Sequence, residues 1–211
     1  MNRNNLIIIC GIDGGGKSNL LKKLEQCGYY TSHWTKLENL DLTEKLNFNN
    51  PGNYIQTLVG KDRLNFIKGY VQSEWRYLIQ PILQKRVNVI ADSFFIKFYC
   101  KEQIYNKLSL ENLLKTSPLT GNEFIIIIDT PPKIAFLRKQ NQKISSYEYY
   151  KSQDDFIIFQ KKLRINILNF TKGFERVIID GTEDKNILSN SIRKILIEHN
   201  LYPNFGGKWK G

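Results

Sequence analysis

Residues 7–21 read IIICGIDGGGKSNLL, and the consecutive Gly14, Gly15 and Gly16 limit what this chain can fold into more than any other feature. Glycine weakens strands and helices alike. Here it separates an isoleucine run from a Lys-Ser pair and from Ser18–Gln26, a stretch with helical apolar spacing. Such a joint suits a backbone that must wrap closely around a ligand, with left-handed dihedrals and no obstructing side chains. Gly11-Ile12-Asp13-Gly14-Gly15-Gly16-Lys17-Ser18 also satisfies G-x-x-x-x-G-K-[ST], the Walker A pattern, with a strand before it and a helix after it. A loop of this type holds phosphate on its amides and on the N-terminal dipole of the next helix. The spacing predicts that Gly11, Gly14, Gly15 and Gly16 shape the cradle and that Lys17 reaches the outer phosphates of ATP. The Ser18 hydroxyl is expected to ligate Mg²⁺, and Asp13 and Asn19 complete the candidate nucleotide set.

Five short apolar runs recur along the chain: Leu6–Cys10, Tyr29–Trp34, Val87–Ile90, Phe124–Ile128 and Val177–Ile179. Most are continuous rather than alternating, as strands buried on both faces of a parallel sheet require. Helical spacing covers Ser18–Gln26, Arg63–Arg86, Tyr147–Phe170 and Lys185–His199, and Pro81 should bend or break the second of these. Strands alternating with helices predict a three-layer α/β domain over residues 1–201. Leu40–Gly52 reads as a surface loop and residues 202–211 as a loosely held tail.

A metal held beside the glycine loop needs a carboxylate on a neighbouring strand end. Asp92 closes one apolar run and is the candidate Mg²⁺ partner. Asp129 closes another, but Thr130-Pro131-Pro132 begins a helix there, so a capping role competes.

The net charge of +11 favours phosphorylated or polyanionic partners. Between Lys133 and Lys172 nine Lys/Arg face three Asp/Glu, although Lys161, Lys162 and Arg164 read as a solvated helix face. No apolar run reaches the roughly 18–20 residues that span a bilayer. Met1–Asn5 is polar and lacks signal-peptide character. Three scattered cysteines show no metal spacing and suit a reducing, cytoplasmic setting, with Cys10 a small core residue.

Four stretches together resemble the thymidylate kinases and the related deoxynucleoside kinases. GIDGGGKSNLLKKL is similar to the thymidylate kinase form of the loop. LIQPILQKRVNVIADSFF resembles the family's Pro-containing helix, third strand and Asp-Arg signature. IIIIDTPPKIAFLRKQ is similar to its fourth strand and the helix leading to the lid arginine. FERVIIDGTEDKNILSNSIRKIL resembles its last strand, adenine-contacting loop and final helix. The resemblance implies a P-loop NTPase fold with a five-stranded parallel sheet flanked by helices and a small helical lid at about residues 138–150. It implies an ATP- and Mg²⁺-dependent phosphotransferase acting on a (deoxy)nucleoside monophosphate, with Lys17, Asp13, Asp92 and Arg138 catalytic. Arg138, Gly181 and Thr182 would contact the nucleotide, and homodimers are common among such enzymes.

The resemblance fails on the acceptor side. Ser93 follows Asp92 where the family has a phosphate-binding arginine, and the Glu-Pro-Gly-Gly-Thr motif after the second strand is replaced by TSHWTKLENLDL. The acceptor-site candidates are therefore Phe94 and Trp75 as a base platform, with Gln72 and Arg76 on a polar helical stripe that includes Lys68. A kinase acting on nucleic acid, or on a modified base within DNA, is the second reading, motivated by the basic segment. A nucleotide-binding regulatory protein is the third.

Overall fold

The computed structural model describes residues 6–33, 58–107, 118–139 and 152–203. The expected loop at 40–52, Trp34, the lid beyond Lys139 with Lys143, the start of the helix expected from Tyr147, and the tail from 204 lie outside them.

Five parallel strands form one sheet in the order β2-β3-β1-β4-β5. They are β1 (Leu6–Gly11), β2 (Tyr30–Ser32), β3 (Val89–Asp92), β4 (Phe124–Asp129) and β5 (Glu175–Asp180). The central strand, β1, is buried along its whole length. Its side chains alternate between two cores, as the strand period dictates. Leu6, Ile8 and Cys10 face a core with Ile67, Phe95 and Ile167, while Ile7 and Ile9 face one with Leu24, Leu188 and Ile192. Helices therefore cover both faces. On one side lie α2 (Gly60–Glu74), α4 (Phe94–Asn106) and α6 (Gln153–Phe170), and on the other lie α1 (Lys17–Gln26) and α7 (Lys185–Glu198). Two shorter helices, α3 (Gln80–Gln84) and α5 (Pro132–Lys139), complete the described elements of this kind. Among the described residues no helix is long and apolar enough to cross a membrane.

The long helix is interrupted just ahead of Pro81, as the proline's position inside the run required. It widens into a π-turn over Trp75–Ile79 and resumes as α3, where Pro81 sits in the first turn, the position in which a missing backbone N–H is tolerated. The helix α4 follows β3 directly and was not anticipated, because its apolar residues are buried on nearly every side rather than on one stripe. The last strand also extends further than its apolar core, to Glu175 and Asp180, since an edge strand can leave charged residues exposed. All three cysteines are free and buried, Cys10 fully so, as expected of a core residue.

Candidate active site

The loop between β1 and α1 carries the geometry that its glycines allow. Gly14 and Gly16 adopt φ of 79° and 94°, in the left-handed region that disfavours a Cβ. A Cβ on Gly14 would lie 2.4 Å from the Ala135 carbonyl, so close packing against α5 also excludes a side chain there. Gly16 is the N-cap of α1, with no side-chain cap and, among the described residues, nothing within 4 Å of a Cβ built there. The first amides of α1 have no intrahelical acceptor and face that space with the positive end of the dipole. Ser18 and Asn19 are exposed at the same helix start.

The ammonium of Lys17 is buried and donates to the carbonyls of Gly11 and Ile12, both at 2.9 Å. Burial, and then repulsion from Lys97, pull its pKa from 10.5 down to about 8. Asp92 lies at the end of β3, paired in register with Ile9 of β1. It accepts from Ser93 Oγ at 3.0 Å and lies 3.3 Å from His33 Nε2. Burial alone would raise its pKa, but the His33 contact and the Lys17 charge outweigh it and hold the carboxyl below its ordinary range. The chain turns sharply here. Ser93 and Phe94 have φ of 56° and 38°, each a conformation costing on the order of 1–3 kcal/mol outside glycine. Strain of this kind concentrates at functional sites, and here it aims the end of β3 at the loop.

Asp13 is anchored from two helices. Gln160 of α6 accepts from the Asp13 amide at 3.0 Å and donates to its carboxylate at 2.9 Å. Lys97 and Lys101 of α4 both pair with the same carboxylate, Lys101 at 3.1 Å. Burial pushes Asp13 up, but Lys101, Lys97 and Lys17 together hold it well below its usual range. Neither Lys97, Lys101 nor Gln160 was legible in the sequence. The lysines' one signal is their i, i+4 spacing in a helix that begins as an apolar run.

Arg138 donates to the carbonyls of Gly181 at 2.7 Å and Thr182 at 3.3 Å, which joins three expected nucleotide-side residues. Thr130 Oγ1 lies 3.5 Å from the Gly15 carbonyl and 3.4 Å from that of Gly181, linking this loop to the first. A Cβ on Gly181 would meet Thr130 Oγ1 at 2.0 Å, so the position tolerates only glycine as built.

Other candidates fall elsewhere. Phe94, expected as a base platform, is 1% exposed and packs between Trp75 and Phe95, so core packing holds it. Trp75 is half-buried, while Gln72 and Arg76 are exposed. Arg164, read as part of a solvated face, instead forks onto Asp129 at 2.5 and 2.6 Å, which also takes Asp129 out of a simple capping role. Lys161 and Lys162 are exposed as expected.

A further carboxylate, Glu74 of α2, is 2% exposed and accepts from Ser32 Oγ at 2.7 Å. Burial raises its pKa from 4.5 to about 7; the Ser32 bond lowers it and the Asp92 charge adds to the rise. The folded chain thus retains a proton that the unfolded chain releases near 4.5. Stability should fall as pH rises from 4.5 to about 7 and then level off, by on the order of 3 kcal/mol. Glu74→Gln will remove most of that fall, making the variant the more stable protein at pH 8 but not at pH 4.5, as urea unfolding at the two pH values will read.

No family model matches the sequence, and neither does any curated protein. Solved structures do match. One is deoxyadenosine kinase from M. mycoides with bound dATP, at a TM-score of 0.61 and 14% identity, over 91% of this chain and 99% of that one. The chain has the P-loop kinase α/β fold. In that fold the end of β1, the head of α1 and the end of β3 share one crevice at the carboxyl edge of the sheet, which is where Lys17, Ser18 and Asp92 stand here.

Proposed function

We propose that this chain is an ATP-dependent phosphotransferase whose acceptor is a nucleoside or a close relative of one. The observation that carries the proposal is the uncapped head of α1, open at Gly16, with the Lys17 ammonium and the ionised Asp92 carboxylate beside it. The fold likeness to a deoxyadenosine kinase supports the same reading.

The residues present fit a divalent cation. Ser18 offers an exposed hydroxyl at the helix head, and Asp92 is held in its charged form. Magnesium, when bound there, would neutralise phosphate charge. The chain itself supplies amides that orient the triphosphate and an ammonium that stabilises the charge developing on transfer. Arg138 would close the nucleotide side together with Gly181 and Thr182.

On the acceptor side we favour a nucleoside hydroxyl. Among the described residues, Asp92 and Glu74 put two carboxylates there, and Ser93 is neutral. Like charge disfavours a second phosphate beside the ionised Asp92, and Glu74, protonated up to about pH 7, offers it no cation. The thymidylate kinase type, with a monophosphate acceptor, is the second reading, motivated by the ordered sequence resemblance from residue 6 to about 197.

A transfer screen with γ-labelled ATP and Mg²⁺ tests this. It should offer nucleosides, nucleoside monophosphates, single-stranded DNA and duplex DNA. Label on nucleosides is the expected result. Label on monophosphates alone would establish the thymidylate kinase type. Label on polymer alone, falling steeply with salt, would replace both readings with a nucleic-acid kinase. Absence of transfer to any acceptor would overturn the proposal.

A further inference from the structure

Three ammonium groups gather at the carboxyl ends of β1 and β3, those of Lys17, Lys97 and Lys101. Two ionised carboxylates oppose them. Asp13 takes Lys97 and Lys101, and Asp92 takes His33. Glu74 adds little negative charge below neutral pH, since its proton stays on to about pH 7. Among the described residues the cluster sets three ammonium groups against two ionised carboxylates before any ligand arrives. Buried like charges are costly unless a counter-charge neutralises them. After burial, repulsion from Lys97 is the next cause of the lowered Lys17 pKa.

The two lysines on α4 are not equivalent. The Lys101 side chain is 3% exposed and sits deep against the Asp13 carboxylate that Gln160 also holds. The Lys97 side chain, one turn nearer the end of β3, is 25% exposed. It alone of the pair has room to change partner, and if it did, Asp13 would still have Lys101 and the two Gln160 hydrogen bonds.

We propose that Lys97 is a second phosphate-directed cation of this site, which leaves Asp13 to Lys101 and Gln160 and moves onto the terminal phosphoryl group of a bound triphosphate. The inference rests on the triphosphate-binding reading above. It adds a role for the α4 lysine that the glycine loop does not define. A flexible ammonium suits this role because it can follow the phosphoryl group between two positions.

The affinity of the protein for ADP and for a non-hydrolysable ATP analogue, both with Mg²⁺, separates the outcomes by calorimetry. Lys97→Gln can still hydrogen-bond Asp13, so loop anchoring survives while the charge is lost. It is expected to bind ADP as the unaltered protein does and to lose about tenfold in affinity for the triphosphate analogue. Lys97→Arg should keep the triphosphate preference within about threefold. Lys161→Met, on the exposed face of α6, controls for loss of surface charge and should leave both affinities unchanged. Equal losses for both nucleotides in Lys97→Gln would reduce Lys97 to an anchor and overturn the proposal, and so would an unchanged ratio. An unaltered protein that binds neither nucleotide would remove the reading beneath it instead.

Discussion

Lys17→Met will lower phosphoryl transfer by about 10²–10³-fold, the size expected when one fixed charge aimed at the transition state is removed. Stability will not follow the activity down. The Lys17 ammonium is buried, and its depressed pKa shows that the fold penalises the charged form. That penalty is fully present below about pH 8 and disappears between about 8 and 10.5, because in that interval the unfolded chain holds the proton and the folded chain does not. Methionine keeps the apolar stem and removes the charge, which offsets the loss of the Gly11 and Ile12 contacts. The unfolding midpoint at pH 7 should stay within about 4 °C of the unaltered protein. Turnover and thermal unfolding on one preparation check both halves, and a variant with undiminished turnover would remove Lys17 from the chemistry.

Asp13→Ala has the opposite profile, with a large cost in stability. It strips the common carboxylate partner from Lys97, Lys101 and the Gln160 side-chain amide, while the backbone amide of residue 13 still donates to Gln160. Breaking a buried ion pair from one side leaves uncompensated charge and costs about 3–5 kcal/mol. The sign of the pH dependence follows from the lowered pKa of Asp13. Its stabilisation is present above 3.8, the ordinary value, and is lost only as pH falls below that. Urea unfolding at pH 7 should therefore show the full difference between the two proteins, and the difference should shrink only below pH 3.8. A variant as stable as the unaltered protein at pH 7 would mean that the lysines had found other counter-charges.

The strands and the glycine loop were readable in the sequence because each has a local cause. Continuous apolar runs mark strands covered on both faces, and β1 and β4 are such strands. The loop announces itself by residues that only a left-handed, closely approached backbone needs. The anchors of Asp13 were not readable, since Gln160 lies 147 residues away and only the packing of α6 against α4 brings it there. The same is true of Arg164, whose partner Asp129 is 35 residues away, so a charge that looked solvated turned out to be bound. Phe94 shows the reverse error. Its neighbourhood in sequence suggested a ligand platform, but a positive-φ turn after β3 drives the ring into the core.

The π-turn at Trp75–Ile79 acts as a phase shifter. Upstream, Ile67, Val71 and Glu74 point inward; downstream, Leu78 and Ile79 do. One surplus residue per winding lets both runs address the same interior, which ordinary winding could not achieve for this spacing. Excising a single residue from that segment would return it to ordinary winding and leave the flanking turns near their present faces, whereas excising a second would rotate everything after it by about 100°. The wall of the crevice that Glu74 forms against Ser32 therefore depends on a length of chain rather than on any one side chain.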